Sequence, residues 1–242
     1  TNTTNAPLDV IYTIVPISAA GCEGTPFTVT LTINPEPVVS NQVLTLCSDI
    51  ASGLTLADDI DGPTASTYNI TSINSNGLSA SAGTPLVANG VINSNLIDDA
   101  WTNTTNTPVD VIYTIVPISA AGCEGTPFTV TLTINPEPVV SNQVLTLCSD
   151  IASGLTLADD IDGPTASTYN ITSINSNGLS ASAGTPLVAN GVSNSNLIDD
   201  AWTNTTNAPV DVIYTIVPIS AAACEGTPFT VTLTINPEPV VS

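Results

Sequence analysis

Residues 111–138 read VIYTIVPISAAGCEGTPFTVTLTINPEP, and within them Val130, Leu132 and Ile134 alternate strictly with Thr129, Thr131 and Thr133. A period of two sets one apolar row against a core and one threonine row toward water, the pattern of a half-buried β-strand. Val111, Tyr113 and Ile115 form a similar row just upstream, so the stretch predicts a hairpin with a small-residue tip. Ile112 and Val116 point to the opposite face, where a neighbouring strand or a second fibre would meet them.

The hairpin recurs at 10–37 and 212–239. Tyr12, Tyr113 and Tyr214 lie 101 residues apart, as do Cys22, Cys123 and Cys224. Cutting after each Pro-Glu-Pro-Val-Val-Ser run gives complete repeats at 41–141 and 142–242, with 1–40 as the C-terminal part of a preceding repeat. The complete repeats differ only at Ile92/Ser193, Thr107/Ala208 and Gly122/Ala223. Such near-identity implies recent duplication and a role set by the number and length of modules. A hundred or so residues is enough for each to bury its own core.

Within 41–141 the pattern predicts a strand at 42–46 ending at Cys47, a turn at 48–53 and a short strand at 53–56. A strong Asp/Gly/Pro turn follows at 58–63, then a strand at 67–71. Residues 73–88 hold one or two short edge strands, 91–97 another strand, and 98–101 (DDAW) lead into an Asn/Thr stretch before the hairpin. Seven or eight short strands with turn signals at roughly 8–12-residue spacing predict an all-β Greek-key sandwich. The joint 135–141, NPEPVVS, has prolines one residue apart, which favour extended backbone and a short, stiff linker. The expected object is a semi-rigid rod of beads. Residues 1–40 form a hairpin without its partner strands, and a lone hairpin is marginal in water. An upstream half-module would complete it, or its strands would pair with another chain's edge in a donor-strand polymer.

Composition narrows function more than fold. The chain has 21 acidic residues and no Lys, Arg or His. Phosphate backbones are held by Lys and Arg, so nucleic acid is excluded as a partner, and so is docking to an anionic bilayer. Charged residues are sparse, however, and Val, Ile and Thr abundant, unlike an acidic disordered tail. No run of 18 or more apolar residues predicts membrane insertion.

At this point VIYTIVPISAAGCEGTPFTVTLTINPEPVV, with LTLCSDI and DDAWTNTTNTPVDV before it, resembles the PKD-like repeat of giant secreted surface proteins of Bacteroidota. The resemblance covers both complete repeats and the partial one. It implies tandem immunoglobulin-like sandwiches on exported, cell-surface or filamentous bacterial proteins, some serving adhesion or gliding. Onto this sequence it carries only the two cysteines, the Tyr113/Pro117 strand and the linker, since the family has no common catalytic residues. Ala223 replaces the Gly of GCEG, from which a left-handed backbone there is not expected to be obligatory.

The chemistry that the side chains allow is limited. Acid–base catalysis usually recruits His, and Arg or Lys commonly hold anionic intermediates. Asp58, Asp59 and Asp61, or Asp98 and Asp99, are the only arrangement resembling a carboxylate dyad, and no enzymatic activity is expected. The same Asp58, Asp59 and Asp61, with Asp159, Asp160 and Asp162 one repeat on, are candidate calcium ligands through their carboxylate oxygens. DDAW and Asp110 would add to them, yet the spacing is not that of an EF-hand, and a solvated turn is the plainer reading. Calcium is thus the single cofactor admitted. Trp101 and Trp202 read as plugs over the end of a sandwich in preference to sugar-stacking platforms. Asn103-Thr104-Thr105 and Asn69-Ile70-Thr71 match a glycosylation sequon that means little in a bacterial protein.

In an exported β protein the cysteines form a disulfide framework, and without Lys no isopeptide staple competes with it. Pairing within repeats would join Cys47 to Cys123 and Cys148 to Cys224, with Cys22 paired outside the segment. Immunoglobulin-like topology favours Cys47–Cys224 between repeats, because the first turn and the last hairpin tip lie at opposite ends of a domain. The partners expected are neighbouring repeats of the same chain and other copies in a fibre. The function expected is a structural or adhesive repeat of a large extracellular surface protein or filament, a semi-rigid spacer. The alternative is a ligand-binding module for polysaccharide or calcium-mediated attachment to external surfaces.

Overall fold

The computed structural model describes residues 1–57, 62–158 and 164–239. Its strands in chain order begin with β1 (Leu8–Ile14) and β2 (Phe27–Ile33). The next set is β3 (Gln42–Cys47), β4 (Thr67–Asn74), β5 (Ser79–Ala82), β6 (Ala88–Val91), β7 (Ala100–Thr102), β8 (Val109–Ile118) and β9 (Phe128–Asn135). The last is β10 (Gln143–Cys148), β11 (Thr168–Asn175), β12 (Ser180–Ala183), β13 (Ala189–Val192), β14 (Ala201–Thr203), β15 (Val210–Ile219) and β16 (Phe229–Asn236). No helix among the described residues is long and apolar enough to cross a membrane.

Each complete repeat is an all-β sandwich. One layer is a five-stranded sheet, ordered β3-β9-β8-β4-β6 or β10-β16-β15-β11-β13; the other contains the short pair β5-β7 or β12-β14. The hairpin sits at the middle of the large sheet, and its alternation is what the core is made from. Val111, Tyr113, Ile115, Val130, Leu132 and Ile134 are all fully buried, while the intervening threonines of β9 are half-buried. Facing the equivalent row in the second repeat are Leu157, Leu179, Leu197 and Trp202. Burying a Val, Leu or Ile side chain contributes about 1.5–3 kcal/mol, so this one hairpin supplies a large part of each module's stability. In β1 and β2 the same residues lack that cover: Tyr12 is 51% and Phe27 49% exposed.

Two predicted strands are absent. Residues 53–56 make no ladder: Ser52, Gly53 and Leu56 donate their N–H groups to the carbonyls of Asp99, Ile97 and Asn93, an uneven spacing. Ser52 Oγ bonds the Leu96 carbonyl and accepts from Leu54 N–H, and Gly53 is left-handed (φ 61°), so local side-chain bonding replaces sheet pairing. The Leu54/Leu56 alternation still places Leu56 in the core, 2% exposed. At 91–97 the strand stops at Val91. Asn and Ser then support a run of turns in which Asn95, Ile97 and Asp99 N–H groups bond the carbonyls of Ile92, Ser94 and Leu96. The pairing missing there appears instead at 100–102, where β7 runs beside β5.

The described chain divides into two compact units. The first comprises Thr1–Thr45, Ile50–Trp101 and Asp110–Thr133; the second comprises Leu46–Asp49, Thr102–Val109 and everything from Ile134 onward. The second unit therefore includes the loop end of repeat 41–141 together with repeat 142–242.

Candidate functional site: the stapled hairpin tip

The most distinctive chemistry lies in the second unit, around the tip joining β15 to β16. Ser220 organises it. Its hydroxyl accepts the Cys224 N–H at 3.0 Å, its own N–H donates to the Cys224 carbonyl at 2.9 Å, and its carbonyl accepts Ala223 N–H at 3.0 Å. This tight turn requires a left-handed residue at 223, and Ala223 has φ 63°, where Gly21 and Gly122 have 82° and 79°. The expectation from Ala223 is thus corrected. The left-handed backbone is kept in all three tips, and alanine bears the steric cost of its Cβ there.

Cys224, fully buried, is bonded to Cys47 at the end of β3, with Cα atoms 5.5 Å apart. The two are separated by 177 residues in sequence. Cys22, Cys123 and Cys148 carry free thiols in the structure, so neither within-repeat pair, Cys47–Cys123 nor Cys148–Cys224, is present. Topology gives the reason. β10 runs parallel to β16 with Cys148 opposite Asn236, at the far end of β16 from the tip. Phe229–Asn236 spans roughly 23 Å, whereas a disulfide needs Cα atoms within about 7 Å.

The tip rests on a cleft lined by Asn106, Pro108, Asn135 and Pro136, with Ser220, Ala221 and Ala222 as its other wall. Beside it, Gly226 donates its N–H to Pro218 O at 2.8 Å, and the linker carbonyl of Pro138 occupies the space a Cβ would need. Gly125 meets the Pro37 carbonyl in the same way in the first unit. Glycine is required at these two positions for close approach of the linker, not for its dihedral freedom.

Around Cys47 the loop is held by polar bonds. Ser48 N–H donates to Asn135 O at 2.9 Å, Ser48 Oγ accepts Asn103 N–H at 2.9 Å, and Thr102 Oγ1 donates to Asp49 at 2.6 Å. Asn103 Nδ2 bridges the carbonyls of Thr107 and Ile134, so the first sequon asparagine is a buried brace. Burial, and then the charge of Asp49, raises the Glu137 carboxyl above its ordinary value. At the corresponding loop of the second repeat, Asp150 is exposed and its carboxyl is held low by hydroxyls, that of Thr203 first.

A second polar cluster is internal. Trp101 Nε1–H donates to Tyr113 Oη at 3.1 Å, and Tyr113 O–H donates to Asp99 at 2.9 Å. Trp101 is 5% exposed, which makes it a core plug. Burial raises the Asp99 carboxyl, opposed by the bonds from Tyr113 and the Thr84 N–H; burial and then the Asp99 charge raise the Tyr113 hydroxyl. Asp99 is thus spoken for structurally, and Asp110 accepts from Thr133 Oγ1 at 2.6 Å. Among the described residues no three acidic, Cys or His side chains converge to hold a metal ion. The candidate calcium ligands Asp58, Asp59, Asp61, Asp159, Asp160 and Asp162 lie outside the described residues. The β7 stretch and the Asp99–Tyr113 bond were the elements sequence reasoning missed; the DDAW run, with a Trp next to acids, was the signal.

No protein of curated function matches this chain. Among solved structures it is similar to the human protocadherin-24 EC1-2 fragment at 13% identity and a TM-score of 0.32, covering 85% of this chain and 99% of that one. It is also similar to the chicken CNTN1 FN1-FN3 domains, at 11% identity and a TM-score of 0.37, covering 93% of this chain and 77% of that one. For the D00-D0 domain of intimin the values are 10% and 0.30, with 80% and 96% covered. Likenesses of that order say nothing about what this chain does. The model of one family matches residues 1–37, 44–138 and 145–239, nearly the whole chain and once per repeat, and by that match the chain belongs to the PKD-like domain family.

Proposed function

We propose that this chain is a semi-rigid spacer, a structural or adhesive repeat segment of a large extracellular surface protein or filament. Modules of its family serve in general as structural or adhesive parts of extracellular proteins. The observation that carries the reading is the Cys47–Cys224 bond, which ties a residue of one sequence repeat to the next, 177 positions on. A brace of that span resists separation of modules and does nothing for a reactive pocket. Three features add support. Linker prolines Pro136 and Pro138 are buried, Gly226 admits the Pro138 carbonyl, and every buried side-chain N or O atom among the described residues has a hydrogen-bond partner. The charge of −21 with no cation keeps parallel copies apart by self-repulsion. Attachment through sugar stacking on Trp101 or Trp202 finds no support, since both indoles are buried.

Small-angle scattering of versions with one, two and three complete repeats, under oxidising conditions, tests the reading. The maximum dimension is expected to grow by a constant increment per repeat at constant cross-section. A dimension that grows only as the cube root of mass would overturn it.

A further inference from the structure

The disulfide occurs once in a chain whose sequence offers its donor positions repeatedly. Cys47 sits at the end of β3 and Cys148 at the end of β10, in loops that match residue for residue. Around Cys47 the loop Leu46–Asp49 and the stretches Thr102–Val109 and 134 onward belong to one compact unit with the tip that bears Cys224. Around Cys148 the same side chains line an open cleft: Ser149, Asp150, Thr203, Asn204, Asn207 and Glu238. Their burial differs as an uncovered copy of the same surface should. Cys47 is half-buried and Cys148 exposed; Glu137 is half-buried and Glu238 exposed; Pro136 is buried and Pro237 half-buried. The tip cysteines show the complementary series, with bonded Cys224 buried, Cys123 half-buried and Cys22 exposed.

We propose that Cys148 and the polar cleft beside it are the receiving face for the hairpin tip of a following repeat in the same polypeptide, closed by a disulfide at the same 177-residue separation. The occupant is fixed by the internal comparison: a Ser-Ala-Ala-Gly/Ala-Cys tip covers the identical surface one repeat earlier. By the same register Cys123 and Cys22 await first-strand cysteines of preceding repeats, so one rule accounts for all five cysteines. Closure joins two thiols and releases two protons and two electrons. The electrons pass to a disulfide of the exchange class, such as glutathione disulfide, which is reduced to two thiols. Successive staples would overlap, each repeat being held to both neighbours. The covalent route through a long array would then follow only the 25 or so residues from a tip cysteine to the next first-strand cysteine before crossing another bond.

This deepens the spacer reading, and the two fail separately. The chain carries Val144→Ile at an exposed position, which gives the Cys148 peptide a different mass from the otherwise identical Cys47 peptide. It is extended at its C-terminus by another copy of residues 142–242, in which Ser replaces the counterpart of Thr215 to mark the added tip peptide, and oxidised with glutathione disulfide. Free thiols are blocked with iodoacetamide in denaturant, and peptides from a protease that cuts after acidic residues are mapped by mass spectrometry. Cys148 is expected in a disulfide with the added tip cysteine, while in the 1–242 chain Cys148 is alkylated. In the extended chain, Cys148→Ser should leave the added tip cysteine alkylated and the Cys47–Cys224 peptide intact, which controls for folding. Cys148 found alkylated in the extended chain, or joined to any other cysteine, overturns the ladder. Constant growth of length per repeat would leave the spacer standing in either case.

Discussion

Pulling on the two ends of this chain should show the staple directly. Cys47 and Cys224 are 177 residues apart. At about 3.3–3.6 Å per extended residue, the bond hides about 580–640 Å of contour length. With it intact, only residues 1–47 and 224–242 can be drawn out, about 220–240 Å, against about 800–870 Å for the whole chain. Optical tweezers with handles at both ends, in buffer with and without reductant, read this difference. The expected result is a short final extension without reductant and a gain of about 600 Å with it. Cys47→Ser should behave as the reduced protein does. The magnitude also discriminates connectivity. Bonds Cys47–Cys123 and Cys148–Cys224 would each hide 76 residues and release as two steps of about 250–270 Å. Two such steps, or equal extension in both buffers, would refute the reasoning. Closing a loop of this size also restrains the unfolded chain, by about 5 kcal/mol on the loop-entropy relation, so reduction should lower the melting temperature.

Three further outcomes follow from the geometry. Ala223→Gly removes a Cβ from a left-handed residue and should raise stability by about 1 kcal/mol, while Gly122→Ala should lower it by a similar amount; urea unfolding of each variant checks this. Gly226→Ala places a Cβ on the Pro138 carbonyl and should cost about 1–3 kcal/mol, with faster protease cleavage in the linker as the local readout; an unchanged midpoint would mean that the linker carbonyl does not sit there. Asp99 and Asp200 have carboxyls raised by burial, so the folded state holds their protons to higher pH than the unfolded state does. Their stabilising contribution is therefore full below the ordinary carboxylate value and is lost as pH rises through the folded one. Melting temperature should fall over that window, and the Asp99→Asn, Asp200→Asn double variant should flatten the slope.

The parts legible in the sequence were those with a strict period. The Val130/Leu132/Ile134 row, the repeat of the hairpin and the first strand up to Cys47 needed only alternation and spacing to be read. The errors at 53–56 and 91–97 share one cause: a short apolar alternation also fits a segment that lays Leu56 and Leu96 into the core without pairing, while Ser52 Oγ and the Ser94 carbonyl accept N–H groups two and three residues on. The strand at Ala100–Thr102 was hidden by the acidic pair before it, because the burial of Asp99 depends on Tyr113, fourteen positions away. At Gly122/Ala223 composition misled, since alanine there bears a strained dihedral without changing it.

The positions where the two complete repeats differ bear on what keeps them alike. Ile92 is 63% exposed, residue 107 or 208 contributes to the Asn103 or Asn204 brace through its backbone carbonyl alone, and position 223 demands a dihedral more than a side chain. None of the three alters the packing. Yet Val43 and Val144, each 73% exposed, are the same residue, as are Leu86 and Leu187. Packing within a module cannot maintain an exposed valine, so the identity of the copies exceeds what folding demands. A ladder of staples gives such copies a physical use. Every loop must receive the tip that follows it, and a module that drifted at its Cys47-like loop or its tip would break the joint which that element makes.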